Sequence, residues 1–249
     1  MPSAWEQPGQ ATERRAPSGP ARRRPTDSAP SRQIKDHAQA WFERWAGTYD
    51  RSLLNELIFF PAVRACQEEL ARWQAARGPR PYRILDAGCG TGTLLALTAR
   101  DPLAELLVGV DYVPAMARQA SDKFARCDAA GRLCVLRCDA ERLALASASL
   151  DVVTCCNSFH HYPHQAAAIN EFRRVLRPGG LLVLIDGFRD NVIGWVIYDV
   201  AVALIEKHVH HASWSELRAL LAGAGFTSIR QRKANVLVPL LVTVAHAAP

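Results

Sequence analysis

Between an apolar run and a leucine-rich one, the segment "RILDAGCGTGTLLAL" (Arg83 to Leu97) places Gly88, Gly90 and Gly92 at alternate positions. Glycine is costly in helices, so three of them at the mouth of one point to a turn against which something must lie closely. With a strand before it and a helix after, the loop Gly88-Cys89-Gly90-Thr91-Gly92 should offer unpaired backbone amides and the positive end of a helix dipole. That is a polar, anion-friendly pocket suited to a nucleotide-type ligand. The dinucleotide fingerprint GxGxxG needs glycine at position 93, where this chain has Thr93, which argues against the NAD form.

Two acids extend the pattern. Asp111 closes the next β-rich run, 19 residues after Gly92, about where a ribose-binding carboxylate lies in nucleotide-binding βαβ units. Asp139, in "CDAERL", ends the third run and falls on the same edge, since ligands of open parallel sheets bind outside the carboxyl ends of the strands. Either acid alone reads equally well as a helix cap. Their joint order and spacing is what favours a site. His160 and His161 follow the fourth run and Asp186 ends the fifth, types suited to acid–base work.

These residues need a frame that carries them to one edge. From Tyr82 onward, short β-rich runs alternate with helical patterns, which reads as βαβ units: a parallel sheet with helices on both faces and five strands before the pattern changes. "SWSELRALLAGAG" then carries a capping box, Ser213 with Glu216 three residues on. Two further runs, "FTSIRQRK" and "VLVPLLVTVAH", joined by Ala234-Asn235, are too close for a parallel crossover and predict an antiparallel hairpin. Residues 36–77 read as two helices, and no internal repeat is evident.

The 249 residues, 49% apolar and 22% charged, suit one globular domain. Of the formal charge of +6, residues 1–35 hold +4 (seven Lys or Arg against three acids), and the remaining 214 residues carry only +2. That segment is rich in Pro and Arg without apolar periodicity, so a disordered tail is expected over 1–35. It shows no secretory signal pattern. Seven cysteines, an odd number without CxxC spacing, suit buried thiols in a reducing cytoplasm rather than disulfides or zinc. No apolar run is long enough for a transmembrane helix. Residues 188–212 read as an apolar helical insertion: a core helix, the wall of an apolar substrate pocket, or a peripheral membrane or dimer contact. His208, His210 and His211 lack an acidic or cysteine partner nearby in sequence, so no metal is expected there.

In succession, "RILDAGCGTGTL", "GVDYVPAM", "CDAERL", "LDVVTCCNSFHHY" and "FRRVLRPGGLLVLID" resemble the motifs of class I S-adenosylmethionine-dependent methyltransferases, within them the ubiquinone/menaquinone C-methyltransferase-like group (methyltransferase type 11). The resemblance covers roughly Trp41 to Ala245. It implies a Rossmann-like α/β fold over 36–249: a doubly wound, seven-stranded sheet, mostly parallel with a C-terminal antiparallel strand. It also implies S-adenosylmethionine as cofactor. Asp86, Gly88 and Gly90, with Cys89 and Gly92 completing the loop, would hold its methionine end. Asp111 would take the ribose, Tyr112 and Met116 the adenine flanks, Asp139 the adenine amino group and Ala140 a backbone contact. Asn157 would sit just beyond the fourth strand, and Tyr49 resembles a tyrosine that closes over the cofactor.

In that topology the fourth and fifth strands are neighbours, so His161 oriented by Asp186 is the expected general base and His160 the second choice. A histidine that only shapes the pocket is the other reading. The expected partner is a small, apolar or aromatic methyl acceptor, with the protein a monomer or homodimer. A non-catalytic cofactor-binding partner protein is a separate alternative. An RNA or protein methyltransferase is disfavoured by the near-neutral globular part and by Asn157-Ser158-Phe159-His160 in place of an NPPY-like sequence.

Overall fold

Strands that are apolar on both faces need helical cover on both sides, and the chain folds accordingly. The structure is a computed structural model that describes residues 29–45, 59–127, 129–190, 209–235 and 238–249. Among these, the strands are β1 (Tyr82–Ala87), β2 (Ala104–Asp111), β3 (Leu133–Arg137), β4 (Leu150–Cys156), β5 (Leu176–Gly187), β6 (Phe226–Ala234) and β7 (Leu240–Ala247). They form one sheet in the order β3-β2-β1-β4-β5-β7-β6. Strands β1 to β5 pair in parallel, while β7 runs antiparallel between β5 and β6. The doubly wound sheet with a C-terminal antiparallel strand is therefore present.

The helices are α1 (Ala29–Trp45), α2 (Phe60–Arg77), α3 (Thr93–Thr98), α4 (Pro114–Phe124), α5 (Gln165–Val175) and α6 (Trp214–Gly223). On one face, Ile169 and Phe172 of α5 and Leu217 and Leu221 of α6 pack with Leu85, Val153 and Leu184. On the other, Val63 and Cys66 of α2, Leu95 of α3 and Phe124 of α4 pack with Ile84, Val152 and Ile185. Side chains alternate across a strand. Adjacent Cys155 and Cys156 accordingly enter opposite layers. Both are buried, as are Cys66 and Cys89, whereas Cys134 is exposed.

The order reverses at β1, which lies between β2 and β4. This is the switch point where an open α/β sheet leaves a crevice at its carboxyl edge. The capping box also forms, with Glu216 N donating to Ser213 Oγ at 3.3 Å and Ser213 N donating to Glu216 Oε2 at 2.7 Å.

Three boundaries differ from expectation. Residues 29–35, expected in the tail, are the first turns of α1, because Ser31 meets His164 and Lys35 meets Asp139 and buried Glu141, partners distant in sequence that local composition does not reveal. The β6–β7 link spans residues 235–239 rather than Ala234-Asn235. Pro239 has no N–H for the ladder, and its carbonyl instead accepts from Phe188 N at 2.8 Å. Finally, β5 begins at Leu176, with a register shift between Leu150 and Val152 of β4. Residues 1–28, Tyr49, and positions 191–208 of the 188–212 insertion, including His208, lie outside the described residues.

Candidate functional site

All three loop glycines adopt positive φ: 70° at Gly88, 53° at Gly90 and 76° at Gly92. Each lacks a side chain for a different reason. A Cβ on Gly88 would lie 2.3 Å from Ser158 Oγ, and one on Gly92 would lie 2.7 Å from the Phe124 ring. A Cβ on Gly90 would meet nothing within 4 Å. Gly88 and Gly92 thus make room for the protein itself, and only Gly90 faces open space. The expectation of unpaired amides fails here. Gly88 N and Cys89 N both donate to Val110 O, Gly92 N donates to Cys89 O, and Gly90 N donates to Asp111 Oδ2 at 2.8 Å. Cys89 is also turned away, since a Cβ on Gly109 would lie 2.8 Å from its buried Sγ.

The strand-end acids do converge. Asp111 holds the loop from below, accepting from Gly90 N and, through Oδ1, from Val113 N at 2.8 Å. Burial nevertheless raises its pKa to about 6. Asp86 is buried behind the loop and accepts from Thr154 Oγ1 at 2.7 Å. Burial, opposed by that hydrogen bond and reinforced by the charge of Asp111, raises it to about 7. Asp139 opens onto the cleft. Its Oδ1 accepts from Glu141 N at 3.0 Å and its Oδ2 lies 2.6 Å from Lys35 Nζ.

Past β4, Asn157 takes a left-handed conformation (φ 51°) that asparagine tolerates. Its buried Nδ2 has no hydrogen-bond partner among the described residues. Ser158 Oγ donates to Ala87 O at 3.0 Å and lies 2.9 Å from Tyr162 Oη, stitching the turn after β4 onto the glycine loop. Among the histidines, the pairing differs from expectation. Asp186 holds His160, not His161: its Oδ1 is 2.5 Å from His160 Nδ1, and its Oδ2 accepts from His160 N at 2.9 Å. The reason is positional. His160 is the buried member of the pair, 8% exposed, and stacks on buried His211, with ring centroids 4.4 Å apart. His161 is turned toward the cleft. Burial lowers His160 and His211 to about 3 and drives His161 well down as well, with the neighbouring His160 adding to that shift.

An acidic partner for His211 therefore arrives through the fold rather than from nearby sequence. His160, Asp186 and His211 bring possible ligand atoms within 4.8 Å of one another. The two imidazole planes, however, are stacked only 18° from parallel. Metals bind imidazole nitrogens in the ring plane at about 2.0–2.1 Å, so two stacked rings in this arrangement do not converge on one ion. We read the trio as a hydrogen-bonded stack.

One cleft gathers most of these groups, about 830 Å³ including its open mouth and within the range of small-molecule sites. It is lined by Gly88, Gly90, Asp111, Tyr112, Met116, Asp139, Ala140 and Asn157, together with His161. Asp86, Cys89, Gly92, His160 and Asp186 are not on its wall. Sequence reasoning missed Lys35, Gln39, Phe59, Ser158 and Tyr162, which also line it. Signals existed in the helical spacing of Ser31, Lys35, Ala38 and Gln39 and in the i, i+4 pair Ser158 and Tyr162.

A family model described as "Methyltransferase domain" matches residues 85–184. A malonyl-[acyl-carrier protein] O-methyltransferase of Geobacter sulfurreducens is 33% identical over 195 residues, 76% of this chain and 69% of that protein. A ubiquinone/menaquinone biosynthesis C-methyltransferase of Syntrophotalea carbinolica is 37% identical over 146 residues, 58% of this chain and 59% of that one. The chain thus spans about six tenths of the length of the first curated relatives it matches. The solved magnesium protoporphyrin IX methyltransferase of Synechocystis, with bound S-adenosylhomocysteine, shares the fold at TM-score 0.65 and 19% identity, covering 86% of this chain and 100% of that one. Among the described residues no helix is long and apolar enough to cross a membrane. Sheet order, cleft and relatives agree: the chain belongs to the class I S-adenosylmethionine-dependent methyltransferases.

Proposed function

We propose that this protein transfers a methyl group from S-adenosylmethionine to a small, apolar or aromatic molecule. The observation that carries this reading is the pairing, in one cleft, of the open face of Gly90 with Asn157 Nδ2: a cradle without a side chain and a buried donor with no partner among the described residues. Buried donors are rarely left unsatisfied, so a ligand acceptor at that point accounts for it. Asp111 and Asp139 both line that cleft.

In this reading Gly90, with Gly88 beside it on the wall, passes the methionine end along bare backbone, while Asp86, behind them, supplies the negative field for its cationic groups. Asp111 takes the ribose hydroxyls, Tyr112, Met116 and Ala140 the adenine faces and Asp139 its amino group. Asn157 donates toward the methionine end, and Cys89 and Gly92 serve the loop's own packing. The cofactor supplies a methyl already activated on a sulfonium, so the chain's task is alignment and exclusion of water. His161, Tyr162 and Pro163 form the acceptor side, and with Phe59 and Val113 they make the wall mostly apolar.

Where the acceptor carries a proton, His161 is the base within reach. Asp186 hydrogen-bonds His160, and burial keeps the imidazole of His161 neutral, which suits an acceptor whose own proton is acidic, such as a phenol or enol. Curated relatives bear quinone and malonyl-carrier names, consistent with a small acceptor. Calorimetry with S-adenosylhomocysteine tests the cofactor, and methyl transfer from labelled donor into a small-molecule extract tests the reaction. No binding at millimolar ligand overturns the reading, and binding without transfer to any acceptor leaves a cofactor-binding partner protein instead.

A further inference from the structure

The first turns of α1 make a contact that the proposed chemistry does not require. Lys35 Nζ lies 2.6 Å from Asp139 Oδ2 and 2.6 Å from Glu141 Oε2, and Lys35 is only 8% exposed. Glu141 is itself tied down: its side chain is fully buried, and its Oε1 accepts from His164 N at 2.6 Å. One turn before Lys35, Ser31 Oγ lies 2.6 Å from His164 Nε2. Lys35, Ala38 and Gln39 share one helix face, and all three line the cleft. Thus α1 is a wall of the cleft, fixed by one ammonium shared between a buried carboxylate and the carboxylate read above as the adenine acceptor.

We propose that Lys35 is a positioning residue that couples cofactor retention to the docking of α1, with Asp139 as the shared group; this rests on reading the cleft as the adenosine site. The physical basis is charge. Asp139 and Glu141 are neighbouring carboxylates, and without a cation between them they repel in a weakly solvated place. Lys35 lies between the two, relieves their repulsion while leaving one net negative charge, and fixes the Asp139 carboxylate through Oδ2. Its remaining lone pairs stay available to an incoming amino group. A ligand held by Asp139 in turn stabilises the ionised triad and so holds α1 closed, and the ligand's escape requires the triad to loosen.

The test uses the full chain with S-adenosylhomocysteine as probe, reading affinity by calorimetry and α1 closure by hydrogen exchange over residues 29–45. In the wild type, the probe should slow exchange in α1. Lys35→Met should weaken binding about ten- to a hundredfold, the loss of one charge-assisted contact, and abolish the ligand-dependent protection of α1. Lys35→Arg should restore most of both, which a purely structural loss would not predict. If Lys35→Met fails to fold, the double variant Lys35→Met/Glu141→Gln, which removes the stranded charge, is expected to show the same loss. Affinity within twofold of wild type with α1 protection intact, in either Met variant, overturns the proposal and leaves the cofactor reading standing. A wild-type protein that binds no probe overturns both.

Discussion

At the β1–β3 end of the cleft, the functional groups sit on residues that leave the strands, so sequence position nearly determines spatial position. At the β4–β5 end, the groups come from a 3-10 turn, a strand end and a loop more than twenty residues further on, and their pairing is decided by which side chain the core can bury. Asp111 serves the first end by gripping two backbone amides. Asp186 serves the second by holding a histidine that does not face the cleft. The difference teaches that a strand-end acid is a ligand contact only where its neighbours leave it open to one.

The largest effect should separate the two ends most sharply. Asp111→Ala removes the carboxylate proposed for the ribose hydroxyls along with the acceptor for Gly90 N and Val113 N, and losing two ribose hydrogen bonds to a charged group at about 1.5–3 kcal/mol each should weaken S-adenosylhomocysteine by more than a hundredfold in calorimetry. Next come the glycines. Gly88→Ala drives a Cβ into Ser158 and should cost about 2–4 kcal/mol in chemical denaturation, overpacking added to left-handed strain, whereas Gly90→Ala should cost only about 1–2. Equal losses would break the distinction drawn between them.

The pH dependence belongs to the first end as well. Asp86 and Asp111 are raised to about 7 and about 6 in the free protein, so a ligand that needs them ionised must displace protons below those values. Affinity should therefore rise with pH, by about a hundredfold from pH 5.5 to 8, with protons released on binding near pH 6. Calorimetry in two buffers of different ionisation heat measures both, and a flat profile would refute the assignment. The smallest effect on affinity is expected at the other end. His161→Ala should leave S-adenosylhomocysteine affinity within twofold while slowing turnover of a proton-bearing acceptor about a hundredfold, the lower end of what a general base contributes. Turnover near wild type would reduce His161 to a wall.

Much of the fold was legible because its signals are local. The βαβ alternation, the capping box of α6 and the hairpin of β6 and β7 each follow from periodicity or spacing within a few residues. The acids Asp111 and Asp139 were legible for the same reason. Three features were not. The loop amides are satisfied by Val110 O and Asp111, partners from the next strand that no local pattern specifies. The choice between His160 and His161 turns on burial against His211, fifty residues away. Lys35 was hidden because its segment is polar by composition, and the carboxylates that order it lie more than a hundred residues downstream.

The position of β7 has a consequence for how the protein is made. It is the last strand in the chain, yet it lies between β5 and β6. On the ribosome, β6 emerges with no neighbour to pair with, and the edge of β5 that carries Asp186 stays bare until residues 240–247 have been made and turned back. Exposed strand edges invite pairing with other chains. The β4–β5 half of the cleft is therefore completed only after β7 has been made, and the nascent chain is most exposed to aggregation in the interval between β6 and β7.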